Sequence, residues 1–114
     1  MFEHHKSDEV DPTQAVELQK SGAVLLDVRE DEEWDAGHAP GAVHVPLGRL
    51  VEATSRFQGQ DVLAVCRSGA RSGRAAMVLA AAGVNVRNVA GGMSSWFAAG
   101  LPVLRDDGSP GTVI

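Results

Sequence analysis

Two short apolar runs constrain this chain most: Ala23-Val24-Leu25-Leu26, leading into Asp27-Val28, and Val62-Leu63-Ala64-Val65. Neither alternates apolar with polar residues, and both are shorter than a helix needs. That is the pattern of strands covered on both faces. Such strands need helices above and below them, and the segments between them supply helical signals. Asp11-Pro12-Thr13-Gln14 reads as a helix start, with Asp11 as N-cap, Pro12 in the first turn and Gln14 closing a capping box. Ala15, Val16 and Leu18 follow, and Gly22 ends the segment. Glu30 to Ala36 suits a short helix whose first turn is acidic. Val43-His44-Val45 is a brief strand stopped by Pro46, and a weak helix is expected around Leu47 to Ala53. Beyond Val65, Ala75, Val78, Leu79 and Ala82 fall at helical spacing and should face the sheet, with Gly83 as the stop. Val84 to Val89 alternates more than the earlier strands, and Gly91-Gly92 turns into a last helix, Met93 to Ala98. Strands alternating with helices predict an α/β sandwich with a mainly parallel sheet.

The chain has 114 residues, enough for one domain, which is expected over 9–104. Polar, turn-rich sequence at 1–8 and 105–114 reads as flexible termini. A net charge of −5 argues against a basic nucleic-acid face. A single cysteine excludes an internal disulfide and a cysteine-based zinc cluster, and four scattered histidines give no metal-ligand pattern. No apolar run reaches membrane-spanning length and Met1 to Asp11 has no apolar core, so a cytoplasmic address without membrane contact is expected.

The chemistry points to Cys66-Arg67-Ser68-Gly69-Ala70-Arg71-Ser72, which joins the second apolar run to the alanine-rich helix. In open parallel sheets ligands sit outside the carboxyl ends of strands. A helix start there offers unpaired backbone N–H groups. Gly69 permits the positive φ of a tight curl, whose amides converge into an anion nest. Three of the eight arginines fall at 67, 71 and 74, although the molecule is acidic. Such surroundings depress a thiol pKa and favour the reactive thiolate, provided the sulfur reaches solvent. The competing reading, a small buried hydrophobe, does not account for this basic, glycine-containing setting.

Four segments in order resemble the single-domain rhodaneses, the thiosulfate sulfurtransferase family. They are Leu25-Leu26-Asp27-Val28-Arg29-Glu30, Glu33-Trp34 with Gly37-His38-Ala39-Pro40-Gly41-Ala42, the Cys66 loop, and Gly91-Gly92-Met93 with Trp96. Ala39 departs from the larger aliphatic residue usual in the family. The resemblance implies a rhodanese-like three-layer sandwich, with a five-stranded mainly parallel sheet flanked by helices. It also implies that Cys66 takes the outer sulfur of a small anionic donor such as thiosulfate as a persulfide. A thiol or cyanide acceptor, or a protein acceptor, then removes it. No metal or other cofactor is required.

Within that scheme Arg67 and Arg71 orient the donor, and Ser68 and Ser72 donate hydroxyl hydrogen bonds to sulfur, or Ser72 merely caps the helix. Asp27 is expected to hold the loop and Arg29 to pair with a carboxylate, both in supporting roles. His38 orders its own loop, because neither His38 nor His44 has the neighbours of a general base. Trp34 and Trp96 read as core anchors.

Two other functions compete. The first is a cysteine phosphatase or arsenate reductase: cysteine phosphatases separate nucleophile and arginine by five residues, whereas four lie between Cys66 and Arg71, a curl better matched to one sulfur atom than to a phosphoryl or arsenate group. A noncatalytic binding module or dedicated sulfur carrier would use the same loop, and fold does not decide between them.

Overall fold

A computed structural model describes residues 8–114. The strands are β1 (Glu9–Val10), β2 (Val24–Asp27), β3 (Val43–His44), β4 (Asp61–Val65) and β5 (Asn85–Val89). The helices are α1 (Pro12–Lys20), α2 (Asp31–Ala36), α3 (Leu50–Ala53), α4 (Ala70–Ala81) and α5 (Gly92–Ala98). The five strands form one sheet in the order β1-β5-β4-β2-β3, and every pairing is parallel. This is the expected α/β architecture.

The capping box of α1 forms: Asp11 accepts from the Gln14 amide and Gln14 accepts from the Asp11 amide. The weak helix at 47–53 is a 3-10 turn over Leu47–Arg49, the short α3, and a second 3-10 turn over Thr54–Phe57. Strand β1 escaped the sequence pattern; β5 supplies its pairing, Val10 standing beside Val89.

Alternation along the strands divides the core in two. Leu26, Val62, Ala64 and Cys66 face α3 and α4, packing with Leu50, Ala75 and Leu79. Leu25, Leu63 and Val65 face α1 and α5, packing with Ala15, Met93 and Trp96. Chain order reverses between β2 and β4, so the carboxyl ends of these two strands flank the crevice where such sheets bind ligands.

Both tryptophans were expected in the core, and only Trp96 is there, 1% exposed with its indole N–H donating to the Pro102 carbonyl. Trp34 is half-buried and stacks with two imidazoles, with ring centroids 3.6 Å from His38 and 4.7 Å from His44. Helix α2 buries no residue, so its aromatic finds flat partners rather than a packed interior.

The segment 105–114, expected as a loose tail, lies against the domain. The Thr112 amide donates to the Ala36 carbonyl, and Gly111 approaches Gly37 so closely that a Cβ on Gly111 would stand 2.7 Å from the Gly37 Cα. Two glycines let backbones meet where composition suggests only a turn. Of the expected flexible segment 1–8, all but Asp8 lies outside the described residues.

Candidate active site

Cys66 follows β4 directly, and the chain then curls through Gly69, φ 116°, into α4. That left-handed turn is open to glycine and costly for other residues. It aims the Gly69 amide at the Cys66 Sγ, 3.0 Å away, and brings the Ser72 hydroxyl to 3.3 Å. Burial pushes the thiol pKa up. Hydrogen bonds from the Ser72 hydroxyl and the amides of Ser72, Gly69 and Ser68 outweigh it, so the pKa lies below the ordinary value. Of the amides and the arginines expected to depress this pKa, the amides are among the leading causes and the arginines are not.

The loop is fixed from outside. The Met93 amide donates to the Cys66 carbonyl at 2.7 Å and the Ser94 amide to the Arg67 carbonyl at 2.9 Å. This docks the start of α5 on the strand end. Gly92 is required there: at φ 59° a Cβ would overlap the Cys66 carbonyl oxygen and stand 2.6 Å from the Arg67 carbonyl.

The sulfur itself is closed in, Cys66 being only 1% exposed, although the sequence argument asks for a thiol that reaches solvent. Cys66 continues the β4 alternation onto the α4 side and joins that apolar cluster. Arg67, Ser68 and Ala70 form the exposed part of the loop.

Other expected residues are placed differently. Arg71 makes no hydrogen bond to the sulfur, although its charge interacts with Cys66; both its Nη atoms bind the Glu33 carboxylate, at 2.7 and 2.8 Å. The hydrogen-bonded guanidinium holds Glu33 down at a pKa of about 2, and the carboxylate raises Arg71 above its ordinary value. Arg67 Nε donates to the Ile114 carbonyl at 2.8 Å. Ser72 caps nothing; its hydroxyl lies near Sγ, the Gly69 carbonyl and Asn88 Oδ1. Asp27 does not hold the loop. Fully buried with Arg29, it accepts from the Arg29 amide and from Nε and Nη2, while Nη2 also donates to the Gly37 carbonyl. The pair thus ties the end of β2 to the loop that carries His38. His38 bonds the Trp34 carbonyl through Nδ1 and pairs its backbone with Leu104. It stands among loop contacts, and none of its hydrogen bonds reaches the Cys66 loop.

Two contributors escaped the sequence argument. Asn88, near the end of β5, accepts from Ser72 and donates to the Gly69 carbonyl at 3.2 Å. A polar residue at the carboxyl end of a strand beside the nucleophile's strand is the signal that could have found it. Glu33 caps its own helix by accepting from the Glu30 amide at 2.9 Å, and its partner Arg71 lies far along the chain.

A family model described as the rhodanese-like domain matches residues 11–99. The chain belongs to this family. Among rhodanese-like relatives, thiosulfate sulfurtransferase 18 of Arabidopsis thaliana is 36% identical over 89% of this chain and 86% of its own length. The putative sulfur carrier protein YrkF of Bacillus subtilis is 40% identical over 63% of this chain, which spans 40% of it. A further curated relative is also longer, the chain spanning 46% of it. The crystal structure of a rhodanese-related protein from Thermoplasma volcanium superposes with a TM-score of 0.79 at 29% identity, over 84% of this chain and 96% of that one. The family and its relatives support sulfur transfer in general. No helix among the described residues is long and apolar enough to cross a membrane.

Proposed function

We propose that Cys66 carries sulfane sulfur as a persulfide, from a small anionic donor such as thiosulfate to a thiol or cyanide acceptor. The observation that carries this reading is the set of N–H and O–H groups gathered on Sγ, which favours the thiolate despite burial. The thiolate attacks the outer sulfur of thiosulfate. The new Cys66 S–S bond forms as the donor's S–S bond breaks, and sulfite leaves with the bonding pair. The acceptor nucleophile then attacks the terminal sulfur, and Cys66 departs as the thiolate it was at the start. The same donors serve thiolate, persulfide anion and leaving group, so one nest assists both halves. Ser68, Gly69 and Ser72 supply these donors, Ala70 opens α4, and Asn88 positions Ser72. Asp27, Arg29 and His38 support the neighbouring loops. Neither half-reaction requires a cofactor. These 114 residues hold no second cysteine to take the sulfur, so the acceptor lies outside them. Because Sγ is covered, the exposed wall at Arg67 and Ser68 must move for the donor to enter.

Incubation with thiosulfate followed by intact-mass measurement tests this. A gain of one sulfur atom, lost in Cys66→Ser, is expected; no gain overturns the reading. The similarity to a putative sulfur carrier favours a second reading, a carrier that serves one protein acceptor. Multiple turnovers with cyanide exclude it, whereas loading without turnover supports it.

A further inference from the structure

Arg71 is the loop cation best placed to attract an anionic donor, and a carboxylate opposes its charge. Glu33 meets it with two short hydrogen bonds, and the Glu33 carboxylate is itself only 14% exposed. The adjacent carboxylate offsets part of the guanidinium's attraction for an arriving anion, because the two charges act on it with opposite sign. The pair is also braced, since Glu33 Oε1 accepts from the Glu30 amide at the start of α2. Arg67 keeps its charge at the exposed wall, but its Nε is already donated to the Ile114 carbonyl. A dianion arriving beside a thiolate therefore meets less compensation than the run of arginines in the sequence suggests.

We propose that Glu33 is the positioning residue that sets the donor charge at this site. By opposing the Arg71 charge it shifts preference from the thiosulfate dianion toward singly charged sulfane-sulfur donors, in which a carbon substituent replaces one charged oxygen. The proposal rests on the sulfur-transfer reading and specifies its substrate class.

The test compares thiosulfate with methanethiosulfonate, which carries the same outer sulfur with a methyl group in place of one charged oxygen. Attack by the Cys66 thiolate forms the persulfide and expels methanesulfinate with the bonding pair, so both donors load the enzyme identically. Initial rates with cyanide as acceptor give KM for each. The native chain is expected to show a KM for thiosulfate at or above that for methanethiosulfonate. Glu33→Gln keeps an oxygen to cap α2 while freeing the Arg71 charge. Coulomb energy scales with donor charge, so KM for thiosulfate should fall roughly tenfold and KM for methanethiosulfonate roughly threefold, the first factor being the square of the second. Both shifts should shrink as salt is raised.

Equal factors for the two donors, which a merely structural change would produce, overturn the proposal. So does a native chain that prefers thiosulfate by more than tenfold, a measurement that stands even if the variant does not fold. Failure of both donors to load native Cys66 is a different result and removes the sulfur-transfer reading itself.

Discussion

The Ser72 hydroxyl has one proton and three acceptors within reach: Cys66 Sγ at 3.3 Å, the Gly69 carbonyl at 3.3 Å and Asn88 Oδ1 at 2.5 Å. With a neutral thiol the short bond to Asn88 takes the proton. Once the sulfur ionises it becomes the strongest acceptor, and the hydroxyl turns to it at the expense of Asn88. Ser72→Ala removes that response. A hydrogen bond to a charged group is worth about 1.5–3 kcal/mol, and the neutral bond surrendered at Asn88 about 1 kcal/mol. The difference, about 0.5–2 kcal/mol, raises the Cys66 pKa on substitution and leaves roughly two- to thirtyfold less thiolate at a pH below it. The direction follows from the structure, because the hydroxyl is the foremost of the hydrogen bonds that lower this pKa. The assay is the pH dependence of thiolate ultraviolet absorbance, with the rate of iodoacetamide alkylation as a second readout. An unchanged titration, or a shift to lower pH, refutes the assignment of Ser72 as a thiolate donor.

Three other perturbations have definite outcomes. Gly92→Ala places a Cβ against the Cys66 and Arg67 carbonyls at a positive φ, so denaturant unfolding should show a loss of about 2 kcal/mol or more, with a raised Cys66 pKa; wild-type stability and titration together would contradict the docking of α5 on the loop. Glu33 has a folded pKa of about 2 against 4.5, so its contribution is present in full above pH 4.5 and lost as pH falls through 2. The stability difference between the native chain and Glu33→Gln, roughly 1–3 kcal/mol near neutrality, should vanish across that window in acid unfolding curves. Arg71→Ala leaves the Glu33 carboxylate uncompensated beside the loop, so KM for thiosulfate should rise several-fold, and an unchanged KM would remove Glu33 and Arg71 from donor recognition.

What the sequence made legible was local. The box at Asp11 and Gln14, the turn at Gly69 and the apolar runs of β2 and β4 each involve residues a few positions apart, and they appear as expected. The long-range partners were not legible. Glu33 in an acidic short helix and Asn88 in an alternating strand look like solvated side chains until the fold brings them to Arg71 and Ser72. The arginines misled in the opposite way, since their number suggested a cationic pocket whereas one is paired with a carboxylate and one donates to a backbone carbonyl. Accessibility was equally hidden: β4 was legible as an unbroken apolar run, which does not show that its side-chain alternation carries Cys66 inward. The tail looked loose because glycine and aspartate read as turn residues, and only the meeting of Gly37 with Gly111 shows where it lies.

The grip of Met93 and Ser94 on the two carbonyls at the end of β4 has a consequence for biosynthesis. During synthesis Cys66 and its own donors at 68–72 emerge well before those amides exist, so the loop is pinned to the sheet only after residues 92–94 have been made. A chain cut short before Gly92 would keep every donor that reaches the sulfur yet lack the two amides that fasten the loop's carbonyls.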